Sequence, residues 1–186
     1  TDREEGVFLQ RVEWLLDGFG IARDDIAAAF DPIAARFGMD WSLRFSDYVP
    51  RVALMVSKLP HCLYDILARW RMGEFRAEIP LVISNHEDMR SIVDGFDVAY
   101  EHVPVDPSHK GSAEQRIGTL LDGARADLVV MARYMQILNY DLVRAYPNRI
   151  INIHHSFLPA FAGARPYHQA YERGVKIIGA TAHYAT

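Results

Sequence analysis

Asn152 and His154 are the side chains best suited to chemistry in this sequence. They lie two apart in the run Ile150-Ile151-Asn152-Ile153-His154-His155-Ser156-Phe157-Leu158-Pro159, which begins as a buried-strand pattern. Alternate residues of a strand project from one face. The spacing therefore predicts an amide donor and an imidazole aimed at one point. Such a pair is equipped for work on a carbonyl. An amide N–H can hold a developing oxyanion, and an imidazole exchanges protons near neutral pH.

Other reactive types are less well placed. The chain has 8 histidines. His154 and His155 are adjacent and face opposite ways on a strand, while His86, His168 and His183 lack partners at recognised ligand spacing. No metal is expected, and His155 reads as structural or orienting. Ser156 sits outside a G-x-S-x-G elbow and reads as a turn residue before Pro159. The loop Ser57-Lys58-Leu59-Pro60-His61 lacks the glycines of a dinucleotide fingerprint, so no nicotinamide or flavin cofactor is expected. Tyr134, Met135, Ile137 and Leu138 form an apolar run leaving a strand; it reads as core packing, or as a wall for a flat aromatic ligand.

The elements that must position these residues follow from the pattern. Apolar runs at 51–57, 79–84, 99–105, 128–132, 150–154 and 176–184 read as strands. Amphipathic helices are expected between them, around Leu63/Leu67, 89–95, Ile117/Leu121, 140–145 and 167–173. This alternation predicts crossover units on a parallel sheet covered on both faces. Ligands of such sheets bind outside the carboxyl ends of the strands. Those ends are Ser57-Lys58, Ser84-Asn85, Arg133-Tyr134 and 152–156, with His183. Ahead of this part, residues 1–48 read as strand (7–16), helix (Ile26, Phe30, Ile33, Phe37) and strand (41–45), a small core for independent folding.

Bulk properties exclude some classes. The chain has 186 residues and a net charge of −4, which does not point to nucleic acid. No apolar run approaches the roughly 18 residues that span a bilayer. Thr1-Asp2-Arg3-Glu4-Glu5 does not resemble a secretory leader. The single Cys62 suits a reducing, cytoplasmic setting.

Taken together, Asn152-Ile153-His154-x-Ser156-x-Leu158-Pro159 resembles the signature of the folate-dependent formyltransferase superfamily. The fuller run from Asn148 to Phe161 is closer still to its formyltetrahydrofolate deformylase branch. So are Pro166-Tyr167-His168-Gln169-Ala170, Ile178-Gly179-Ala180-Thr181-Ala182-His183-Tyr184, Ser57-Lys58-x-x-His61-Cys62-Leu63-Tyr64-Asp65 and Ala132-Arg133-Tyr134-Met135-Gln136-Ile137-Leu138. Within the superfamily, glycinamide ribonucleotide formyltransferases carry a glycine-rich phosphate loop where this chain has Ser57 to His61. Its absence fits an acceptor without a phosphate, such as water.

The resemblance implies a Rossmann-like, mostly parallel α/β sheet over 49–186, preceded over 1–48 by the C-terminal half of an α+β ACT (ferredoxin-like) domain. It implies hydrolysis of 10-formyltetrahydrofolate to formate and tetrahydrofolate, in one-carbon and purine metabolism, with no metal or redox cofactor. The alternatives are formyl transfer to an amine and a non-catalytic folate- or amino-acid-sensing role. Asn152, His154 and His183 are the expected catalytic residues. The superfamily's catalytic aspartate is expected beyond Thr186, so the segment as given is expected to be inactive. Tyr134, Met135, Gln136, Ile137, Leu138 and Ser156 are the expected substrate-binding residues. A glycine or methionine effector at the ACT-like part and a homo-oligomer are further implications.

Overall fold

The computed structural model describes residues 6–106, 110–154 and 166–186. The chain divides into two compact units, Thr1–Tyr48 and Val49–Thr186.

The second unit is a six-stranded sheet. Its strands are β1 (Arg51–Val56), β2 (Glu78–Ser84), β3 (Ala99–His102), β4 (Leu128–Met131), β5 (Ile150–His154) and β6 (Thr181–Tyr184). Their spatial order is β3-β2-β1-β4-β5-β6. β1 to β5 run parallel, and β6 pairs antiparallel with β5. The mostly parallel α/β sheet expected from the pattern is therefore present. The helices in this unit are α2 (His61–Arg71), α3 (Arg90–Asp94), α4 (Lys110–Gly123), α5 (Tyr140–Ala145) and α6 (Pro166–Glu172).

Apolar side chains on both faces explain the continuous hydrophobic strands. On one face Ala53, Met55, Ile83, Val129 and Ile150 pack with Ile117 and Leu121 of α4 and Leu142 of α5. On the other, Leu54, Val56 and Val82 pack with Leu63 and Leu67 of α2 and Val93 of α3. Residues 53–56 of β1 are fully buried. At the amino end of β1, Arg51 N–H donates to Asp127 (2.7 Å), its Nε donates to the Ala124 carbonyl (2.8 Å), and its guanidinium pairs with Glu78.

Two strands are shorter than the sequence pattern predicts. β6 starts at Thr181 and not at 176, because Thr181 lies opposite His154, the last residue of β5. β3 ends at His102 and not at 105: β2 ends at Ser84, and Pro104 has no N–H to donate.

The first unit contains a 3₁₀ turn (Arg23–Asp25) and α1 (Ile26–Arg36). Phe30 packs edge-on against Trp41 (4.7 Å between ring centroids). Arg23 forks onto Asp47 through two bonds of 2.6 Å and lies over the Phe45 ring at 4.1 Å. The strands expected at 7–16 and 41–45 are not formed among the described residues, apart from an isolated bridge at Val7. Apolar composition alone does not make a strand; its N–H and C=O groups need a neighbouring strand to pair with. Within the same segment, Leu9 is 80% and Leu15 86% exposed. On α1, Ile26 and Ala34 are buried, while Ile33 of the expected stripe, and Phe37 just past the helix end, are exposed.

Candidate functional site

Strand register puts Met55, Met131, Asn152 and His183 at one level across β1, β4, β5 and β6. On β5, Ile150 faces the core shared with α4 and α5, and Ile153 packs on the other face. By alternation, Asn152 and His154 share the face of Ile150. His183 is the cross-strand partner of Asn152, and Thr181 that of His154.

This register brings the three expected catalytic residues together. Asn152 Nδ2 lies 3.3 Å from His183 Nε2, and His183 Nδ1 lies 3.0 Å from the carbonyl oxygen of Tyr184. A carbonyl oxygen only accepts, so the network assigns the His183 proton to Nδ1. Nε2 then accepts from the Asn152 amide. One N–H of Asn152 is thereby fixed, and its second is oriented for another acceptor. The His154 ring stands edge-on to that of His183, with 6.5 Å between centroids.

The chain order β1-β2-β3 followed by a return to β4 makes a topological switch point between β1 and β4. A cavity of about 150 Å³ opens there. The loop after β1 lines it with Ser57, Lys58 and Leu59, and the turn after β2 with Asn85 and His86. The segment after β4 adds Arg133, Met135 and Gln136. Cys62, just inside α2, is half-buried; burial pushes its thiol pKa up, against the opposing pull of the Arg133 charge.

The segment after β4 is held at both ends by buried polar groups. Ser57 Oγ accepts from the backbone N–H of Met135 (3.1 Å) and donates to Asn85 Oδ1 (2.6 Å). Glu114 of α4, 5% exposed, accepts from the backbone N–H of Asn139 (2.8 Å). Asn139 in turn caps α5, its side chain accepting from Leu142 N–H (2.8 Å). Between these anchors Met135 and Ile137 are exposed.

Tyr134 is buried in the core shared with α4 and α5. Burial first, and the Glu114 charge second, push its phenol pKa up to about 12. Gln136 and Leu138 are half-buried, and Leu138 leans on the same core. Ser156 and His155 lie outside the described residues. The anchoring role of Glu114 was not read from the sequence. Its signal is a carboxylate in line with Ile117 and Leu121, on the apolar stripe of α4.

The described residues contain no group of three or more His, Cys, Asp or Glu able to hold a metal ion. Nor do they contain a helix long and apolar enough to cross a membrane.

Comparison with known proteins adds to this geometry. A sequence profile described as formyl transferase matches residues 50–186. A formyltetrahydrofolate deformylase of Synechocystis is 55% identical over 186 residues, covering 100% of this chain and 65% of that protein. The Bacillus subtilis protein of the same name is 47% identical over 186 residues, with 100% and 62% covered. The crystal structure of a formyltetrahydrofolate deformylase from Pseudomonas syringae superposes with a TM-score of 0.88 at 52% identity. It covers 91% of this chain and 57% of that one. The chain thus spans less than two thirds of the length of these relatives.

Proposed function

We propose a hydrolytic function from one premise: the chain belongs to the formyl transferase family. The full-length protein hydrolyses 10-formyltetrahydrofolate to formate and tetrahydrofolate. The observation that carries this reading is the Asn152–His183 contact of 3.3 Å on the strand face that also bears His154. The names of the relatives matched over the whole chain support the same reading.

The chemistry follows from these side chains. Water adds to the formyl carbon, and negative charge grows on its oxygen. The Asn152 N–H not engaged by His183 donates to that oxygen; one such donor is worth roughly 2.7–4 kcal/mol in the transition state. His154 polarises the same oxygen or carries a proton to the folate nitrogen. Collapse of the tetrahedral carbon breaks the C–N bond and leaves formate and the protonated amine. The aspartate that the family resemblance implies beyond Thr186 would orient the water. The segment Met135 to Leu138, anchored by Ser57 and Glu114, offers backbone groups and apolar surface to the pterin ring.

The loop Ser57 to His61 has no glycine, which favours water over a phosphate-bearing amine as formyl acceptor. Supplying 10-formyltetrahydrofolate to the full-length protein with and without candidate amines tests this. Free formate in both cases is expected. Formylated amine in place of formate would move the assignment to a transferase.

The ACT-like assignment of residues 1–48 rests on the sequence resemblance, and a glycine or methionine effector, a homo-oligomer and a cytoplasmic location go with it. Titrating the full-length protein with each amino acid while following formate release tests the effector. An unchanged rate with both would remove it.

A further inference from the structure

The polar lining of the cavity at the β1/β4 switch point includes Lys58, Asn85 and Arg133, with no carboxylate among the described lining residues. Lys58 and Arg133 supply two cations, and neither forms an ion pair among the described residues. Arg133 Nε is buried without a hydrogen-bond partner among the described residues. Leaving a buried charged donor unmatched is costly, so such an atom points to a ligand. Arg133 also sits at a backbone φ of 65°, a left-handed conformation that non-glycine residues seldom adopt. Unusual backbone of this kind persists where the surroundings hold it, and it clusters at functional sites.

The neighbouring amide fits the same picture. Asn85 Oδ1 receives the Ser57 hydroxyl proton, so the Asn85 Nδ2 hydrogens are the ones left to donate. A volume of about 150 Å³ is below the roughly 300–1,000 Å³ typical of pockets for drug-sized molecules. A small ion matches it, and a pteridine does not.

We propose that Arg133, Lys58 and Asn85 form a subsite for a small carboxylate. The planar guanidinium fork matches a carboxylate. The lack of a glycine-rich cradle in the first loop, and the apolar Leu59 and Met135 in the lining, disfavour phosphate. The subsite rests on the deformylase reading only for the identity of its occupant, the formate released by hydrolysis.

Carbon-13 formate titrated against the full-length protein tests this by NMR line broadening. Saturable binding is expected, weakened at least tenfold in Arg133→Gly and in Lys58→Met. Glycine accepts a φ of 65° readily, so Arg133→Gly removes the cation without straining the turn. Absence of saturable binding, or equal binding by wild type and both variants, overturns the subsite. Displacement of formate by inorganic phosphate at equal concentration overturns the carboxylate assignment. Formate release assayed in parallel separates the two proposals. A protein that turns over without binding formate loses the subsite and keeps the activity. A protein that binds formate through Arg133 without turnover keeps the subsite and loses the deformylase reading.

Discussion

At Asn152 a single amide nitrogen has two hydrogens to give, and His183 takes one of them. The second is then directed by a fixed plane and not by a rotating side chain. In the proposed mechanism, replacing Asn152 with Ala removes the oxyanion donor, and kcat for formate release by the full-length protein should fall about 10²–10³-fold. In the same mechanism His183→Ala should cost less, because the part proposed for His183 is to orient Asn152. A larger loss in His183→Ala than in Asn152→Ala would reverse these roles. The shared strand face of Asn152 and His154 was legible from alternation, while His183 entered as catalytic only with a second motif of the family resemblance. The partnership of Asn152 with His183 was not legible, since it depends on the two meeting across an antiparallel register. Glu114 was hidden for another reason. A charge on a helix usually reads as a solvated face, and only packing of α4 buries it.

Strands and loops decide whether those residues stay in place. β1, fully buried over residues 53–56, lies in the middle of the sheet. Leu54→Ala should cost about 2–5 kcal/mol in chemical denaturation, as cavity-forming core truncations do. The Ser57 hydroxyl joins the ends of three strands by serving Asn85 and Met135 at once. Ser57→Ala leaves the buried Asn85 amide oxygen unmatched, at about 1–3 kcal/mol, and frees the part-buried Met135 N–H. It should also raise KM for the folate more than it lowers kcat, because it loosens the 135–139 segment and leaves Asn152 and His154 intact. A pure kcat loss would contradict the anchoring role. The strands of the second unit were readable as continuous apolar runs, because a sheet covered on both faces leaves no polar side. The expected strands at 7–16 and 41–45 had comparable composition and are not formed among the described residues. Composition reports burial and β preference; it does not supply the neighbouring backbone a strand requires.

Across the second unit as a whole, two buried phenols link stability to alkaline pH. Burial and the Glu114 charge hold Tyr134 at about 12. Burial, then the hydrogen bond to Asp122 and its charge, raise Tyr146 to about 12. Its hydroxyl donates to Asp122 Oδ1 at 2.6 Å. An unfolded tyrosine ionises near pH 10. Between about pH 10 and 12 the unfolded chain therefore releases these protons and the folded chain keeps them. Stability should be unaffected by either group below pH 10 and should fall through that window. Tyr134→Phe should make the alkaline fall in the urea midpoint shallower; an unchanged slope would exclude Tyr134 as its source. The central claim, that this strand face performs hydrolysis of a folate-borne formyl group, is tested most directly by formate release from 10-formyltetrahydrofolate by the full-length protein and its His154→Ala variant. Loss of general acid–base help should lower turnover about 10²–10⁴-fold. Near-normal turnover in the variant would contradict the account.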